Sequence, residues 1–254
     1  MNRFIGIILM IGSSLTVQAN AELCPLQWRD DITLTPQQVV VERQQQPLWR
    51  FHQSGQLWLQ QTPRALNAET QQVFQRYHRE LYQQAKATAL LIADAKQLAR
   101  RSMGQIETEL GGADAGLGGR LASSFARLEQ RLAQFITVND QQIVIYGSRL
   151  AGGNMVNTLE QELQLTMTEL TAQLMFNIGQ TTLQSGGSLQ HQMARMQTEL
   201  ARLRQKLQQD VAADGKMLKQ RGESICQQIL QLAPLEQQLV QAVPELRGMT
   251  LLSR

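Results

Sequence analysis

A chain of 254 residues carrying 24 basic and 21 acidic side chains, with only 5% aromatic residues, is long enough for one or two domains with a real core. Its charges are interspersed, whereas a nucleic-acid binder concentrates its basic residues on one face, so nucleic acid is not an expected partner. No segment beyond the first twenty residues offers the ~18 uninterrupted apolar positions of a membrane span; the nearest, residues 85–95, contains Lys86 and Asp94.

The chain opens with Arg3, an apolar run from Phe4 to Leu15 broken only by Gly and Ser, and the small-residue sequence Ala19-Asn20-Ala21. That order is the pattern of a secretory leader, with cleavage expected after Ala21 and a periplasmic, soluble mature protein. Loss of residues 1–21 leaves 23 basic and 21 acidic side chains. Cys24 follows Glu22 and Leu23 and so lacks the small-residue box of a lipoprotein. In an oxidising compartment Cys24 and Cys226 are most simply a disulfide tying the N-terminal segment to the last long helix, with two free thiols or a metal pair as the alternatives.

From Asp31 to Leu66 the apolar residues alternate: Ile32 and Leu34, Val39 and Val41, Leu48 to Phe51, Leu57 to Leu59, with a turn signal at Gln53-Ser54-Gly55-Gln56. The pattern predicts a small antiparallel β-meander over residues 22–66, which needs something to pack on. At Asn67, a credible N-cap, the period changes to three and four through Phe74, Tyr77, Leu81, Ala85, Ile92, Ala99 and Leu110, predicting a long helix that stops at Gly111-Gly112. Beyond the glycine-rich turn "GGADAGLGG", Leu121, Phe125, Leu128, Leu132 and Phe135 form the stripe of a second helix. The β-branched run "QQIVIYG" reads as a strand near 141–146, expected at the edge of the N-terminal sheet. A third helix is predicted through Val156, Leu163, Leu170 and Ile178. A fourth, capped by Ser188, has a coiled-coil-like seam over Leu189, Met193, Met196, Leu200, Leu203 and Leu207, best read as an intramolecular seam. Pro234 and Pro244 break the last helical turns. The abundant glutamines read as uncharged solvent faces of helices. The fold expected is mainly α: an antiparallel bundle of long amphipathic helices over residues 67–254, with the strand inserted near 141–146 and the meander capping one end.

Four stretches, "CPLQWRDDITLTPQQVVV", "FHQSGQLWLQQTPRALN", "QSGGSLQ" and "GESICQQILQL", span the chain. With them the sequence resembles the YggN-like family of uncharacterised bacterial periplasmic proteins, a domain of unknown function. The resemblance implies an exported protein with one cysteine near each end, and carries over no catalytic residue.

The search for chemistry finds little that converges. The three histidines, His52, His78 and His191, fall on a strand and on two different helices, with no second ligand at metal spacing, so no metal is expected. Asp30-Asp31 before a strand reads as turn and cap residues, Ser123-Ser124 lacks a nucleophile-elbow setting, and "GGADAGLGG" follows a helix and lacks the lysine of a phosphate loop. No catalytic residue or cofactor is therefore assigned. Met167, Met175, Met193 and Met196 crowd the third and fourth helices, ordinary packing for such residues but also the composition of an adaptable apolar groove. The function expected is a non-catalytic binding, scaffold or chaperone-like element of the cell envelope, with envelope proteins as partners and its oligomeric state open. The alternative is a hydrolase or transferase whose polar residues, for instance Asp31, His52 and Arg79, meet only in the fold.

Overall fold

A computed structural model describes residues 29–110, 115–139, 141–150 and 189–252, with isolated positions 161, 164, 165 and 168; some helical side chains in these ranges are not described. Seven strands form one antiparallel sheet. They are β1 (Asp31–Leu34), β2 (Gln38–Arg43), β3 (Gln46–His52), β4 (Gln56–Leu59), β5 (Thr62–Arg64), β6 (Ile136–Val138) and β7 (Ile143–Tyr146), in the spatial order β5-β4-β3-β2-β1-β7-β6. The helices are α1 (Ala68–Leu110), α2 (Ala115–Ala133), the single turn α3 (Gly147–Leu150), α4 (Leu189–Leu230) and α5 (Ala233–Ala242), followed by a 3-10 turn at Pro244–Leu246.

This corrects the expectation of a helical bundle with a minor β part: the fold is mixed α/β and its core is built on the sheet. The strand read from "QQIVIYG" pairs with β1, and β6 is added beyond it, so the meander is continued across its own first strand. Strand β6 escapes the sequence because it is three residues long and because Phe135 continues the stripe of α2. That helix actually ends at Ala133 in a tight turn in which the Phe135 N–H donates to the Leu132 carbonyl. The coiled-coil expectation is corrected too: α4 runs beside α1 as one member of a layer attached to a sheet. An apolar stripe at steps of three and four says that a helix face is covered, not by what.

Alternation along the strands sets the core. Ile32, Leu34, Val39, Val41, Trp49, Phe51, Leu57, Leu59, Ile143 and Ile145 share one face and are buried. The first turns of α1 lie on that face, with the Phe74 ring stacked on Phe51 at 4.8 Å and edge-on to Trp49 at 6.3 Å. Asn67 starts α1 by accepting the Thr70 N–H at 2.8 Å, a side-chain cap worth about 1 kcal/mol. Leu232, Leu235, Leu239, Leu246 and Leu251, from α5 and the residues flanking it, close the rest of the core. Each such side chain contributes ~1.5–3 kcal/mol by leaving water.

Two hairpins turn on unusual residues. Gln44-Gln45 and Gln60-Gln61, all four with positive φ, form the two-residue loops β2–β3 and β4–β5. Such loops favour Asn or Gly, since a side chain in the left-handed region is strained by ~1–2 kcal/mol. These glutamines are therefore turn residues and not the helix faces read from composition. Proline appears where strands tolerate it, Pro63 in the edge strand β5 and Pro47 in β3 beside the register shift at Val41/Glu42.

Away from the sheet, α1 pairs with α4 in antiparallel sense: Tyr77 meets Glu236 just past the end of α4, Leu91 packs on Gly222, Asp94 pairs with Arg221, and Arg101 with Asp214. Helix α2 folds back along α1, where Glu129 meets Arg100 at 2.8 Å and Lys96 at 3.6 Å. Of the third helix read from the sequence, positions 161, 164, 165 and 168 are described; they are helical and exposed, and the rest lies outside the described residues. Among those described, no helix is long and apolar enough to cross a membrane.

Candidate functional site

Three buried ionisable side chains, Glu236, Tyr77 and Asp30, surround the segment 248–252 at one end of the sheet. Helix α5 carries its apolar stripe through Leu232, Leu235, Leu239 and Val243, and Glu236 stands on that inward stripe. Its carboxylate is 5% exposed and accepts three hydrogen bonds: the Tyr77 hydroxyl of α1 donates to Oε1 at 2.6 Å, the Leu251 N–H to Oε1 at 2.9 Å and the Leu252 N–H to Oε2 at 3.0 Å. Burial raises the Glu236 carboxyl above its ordinary range, and the three donors pull it part of the way back. Burial, with the neighbouring Glu236 charge, drives Tyr77 well above its ordinary value, so its hydroxyl stays a donor.

The same segment is gripped from the strands. Asp30, 1% exposed, receives Arg43 Nε on Oδ1 at 2.7 Å and Nη2 on Oδ2 at 2.9 Å; the fork also donates from Nη2 to the Gly248 carbonyl at 3.0 Å. The bidentate pair raises the guanidinium above its ordinary value. Trp49 Nε1 donates to the Met249 carbonyl at 2.9 Å. Residues 248–252 are thus held by Arg43, Trp49 and Glu236, each from a different element and each on a backbone atom. Beneath them, between Trp49, Phe74, Tyr77 and Met249, a recess of about 10 Å³ remains, room for a single water.

A further buried group is His78 on α1, whose Nε2 lies 3.0 Å from the Thr35 carbonyl. A carbonyl only accepts, so Nε2 carries the proton and the ring fastens the β1–β2 turn to α1. Among the described residues Nδ1 has no hydrogen-bond partner, and desolvation lowers the pKa. His78 is a structural post on the same buried stripe of α1 as Phe74, Tyr77, Leu81 and Ala85.

Asp30 and Asp31, adjacent in sequence, point to opposite sides of the chain. Asp30 turns inward to Arg43, while Asp31 accepts the Ser148 N–H at 3.1 Å and its hydroxyl at 2.7 Å. His52 bonds Ser54 and is opposite Gln38, whereas Asp31 is opposite Glu42, four residues further along β2; ~13 Å of strand separates the two positions. Arg79 is exposed on α1, which packs on the other face. Asp31, His52 and Arg79 do not meet. Arg50 stacks over Trp58 at 4.1 Å and Arg149 over Tyr146 at 4.5 Å. Ser123 donates to the Gly119 carbonyl, and Ser124 is buried with Arg127 donating to it.

Of the remaining sequence candidates, Cys24, Met167 and Met175 lie outside the described residues. Met193, Met196 and His191 are on α4, with side chains not described. Cys226 is half-buried on α4 and is not a free thiol, while Cys24, the partner expected for it, lies outside the described residues.

Sequence reasoning missed Glu236 and Arg43. A signal for Glu236 exists in "LAPLEQQLVQAV", where a lone acid occupies an inward helical position, and buried acids are rarely unpaired. No curated protein and no solved structure matches the chain. A family model described as a protein of unknown function (DUF2884) matches residues 24–252, and the chain belongs to that family.

Proposed function

We propose that the chain is a non-catalytic polypeptide-binding protein of the cell envelope, of the YggN-like type that it resembles, exported to the periplasm after cleavage at Ala21. The observation that carries this reading is the use made of its buried polar groups. Glu236, Trp49 and Arg43 grip peptide N–H and C=O groups, which is the chemistry of holding a chain. The pair Tyr77–Glu236 sits over a recess of about 10 Å³, far below the ~300 Å³ from which small-molecule sites begin. The leader-like order of Arg3, the apolar run and Ala19-Asn20-Ala21 supports export.

The test places a photo-reactive amino acid at Thr250, on the lip of the recess, and at Leu90, 59% exposed on the distal part of α1, in the full-length protein in living cells. A polypeptide adduct from position 250 and none from position 90, on protein recovered from the periplasm with Glu22 as its first residue, is the expected result. Recovery in the cytosol with residues 1–21 attached, or adducts no different between the two positions, would overturn the reading.

A further inference from the structure

We propose that β6 is a dimer seam: it pairs antiparallel with β6 of a second copy of this chain and joins two seven-stranded sheets into one. The surface concerned is an edge of the sheet, and the inference stands independently of the polypeptide-binding reading.

The two edges of the sheet are finished differently. At β5, the two-residue loop Gln60-Gln61 makes Leu59 and Thr62 a hydrogen-bonded pair, so the middle residue, Pro63, is the one whose backbone faces outward. Proline has no N–H to offer, and Arg64 beside it is engaged with Glu245 at 3.3 Å. That edge is closed to a further strand. At β6, the Tyr146 N–H donates to the Phe135 carbonyl at 2.9 Å and the Asn139 N–H to the Gln142 carbonyl at 3.0 Å. Bonded pairs alternate along an antiparallel ladder, so Thr137 and Val144 form the bonded pair between them. Ile136 and Val138 therefore turn their N–H and C=O groups away from β7. Among the described residues no strand lies beyond them, and Val138 is 48% exposed. Neither proline nor a charged side chain guards this edge between Gln134 and Asn139.

A second copy is the occupant because the edge is complementary to itself. Antiparallel pairing about a two-fold axis through Thr137 sets Ile136 against Val138 of the second copy, and Val138 against its Ile136. Every outward N–H and C=O of both edges then finds a partner. The side chains agree with this register. Ile32, Ile145 and Ile136 are cross-strand neighbours on the core face, and so are Leu34, Ile143 and Val138. The dimer runs the first row of one copy into the second row of the other, covering the exposed Val138 with Ile136, and no like charges meet at the seam. A strip three residues long lies at the weak end of specific interfaces, so the dimer is concentration-dependent.

The experiment sediments the full-length protein over about a hundredfold range of concentration, beside its V138P and T137C variants. Val138→Pro removes an outward N–H without breaking a bond to β7, so it should keep the wild-type circular dichroism while raising the dimer dissociation constant at least about tenfold. Thr137 meets its own copy across the axis at a Cα separation of ~4.5 Å, within disulfide reach, so T137C should give a reducible dimer on mild oxidation and P63C, on the closed edge, should not. A wild-type chain that stays monomeric throughout, a dimer indifferent to V138P, or equal crosslinking at positions 137 and 63 would overturn the proposal. Should V138P fail to fold, hydrogen exchange on the wild-type chain decides. The Ile136 and Val138 amides should slow as concentration rises, while Thr137, already bonded to β7, keeps its rate. Full protection of both amides at the lowest concentration would mean that the edge is covered within one chain, and would refute the seam.

Discussion

The two ends of α1 live in different environments. From Phe74 to Ala85 the helix lies on the sheet, and Phe74, Tyr77, His78, Leu81 and Ala85 are buried. Beyond Ala85 none of its described side chains is buried. There the helix is fastened to α2 and α4 by Arg100 and Lys96 on Glu129, Arg101 on Asp214 and Asp94 with Arg221, while Leu90 on α1 and Met217 on α4 are 59% and 51% exposed. A single helix thus passes from a region held by burial to one held by half-exposed ion pairs, each worth ~0–1 kcal/mol. Stability should be concentrated at the sheet end, and four measurements can break or sharpen that contrast.

The largest effect is expected from Phe74→Ala. The ring is stacked on Phe51 and edge-on to Trp49, and its loss leaves a cavity in the core, so denaturant unfolding should show a loss of ~3–5 kcal/mol. A loss below ~1 kcal/mol, no more than an ordinary substitution costs, would mean that the sheet end does not carry the fold. Arg43→Ala comes next, at ~3 kcal/mol in the same assay, because it strands a buried carboxylate without its bidentate partner. That carboxylate, Asp30, is 1% exposed, and the change also frees the Gly248 carbonyl.

How much of this was legible before the structure follows from what each signal encodes. Alternation in residues 31–59 names inward residues such as Ile32, Val41 and Phe51, because one buried face leaves a period of two. It does not say that β1, at the meander's start, has a second free edge for Ile143–Tyr146, because pairing partners distant in sequence leave no local mark. The hairpins at Gln44-Gln45 and Gln60-Gln61 are silent because glutamine is a poor occupant of left-handed backbone. The clamp was half visible. Tyr77 lay on the stripe of α1, but the roles of Asp30, Arg43 and Glu236 depend on residues 248–252, which lie 205 positions from Arg43 and 200 from Trp49 where those side chains grip them.

Smaller effects come from protons, and two buried groups at the sheet end pull in opposite directions. Glu236 is raised by burial; its contribution to stability is complete below the ordinary value of 4.5 and is lost as pH rises through its raised value. His78 is lowered by burial; its contribution is complete above its ordinary value of 6.5 and is lost as pH falls through its lowered value. Thermal melts from about pH 4 to about pH 8, which bracket both ordinary values, should therefore show E236Q losing the decline on the alkaline side, and H78Q losing the decline on the acid side. Identical profiles for wild type and both variants would show that neither group is as desolvated as its surroundings imply.

The smallest change is expected where α1 is furthest from the sheet. Arg101 and Asp214 approach to 2.7 Å, yet their side chains remain 59% and 34% exposed, so water and salt already screen the pair. Asp214→Asn should lower global stability by less than ~1 kcal/mol, and about 0.5 M salt should erase most of that difference. Its local signature should be larger than its global one. Amides of α1 beyond Ala85 open without the sheet, so D214N should speed their exchange while leaving Phe74 to Ala85 at the rate set by global unfolding. Were both stretches to speed up together, the helix would be one cooperative unit, and the ion pairs would be transmitting to the core what their exposure says they cannot.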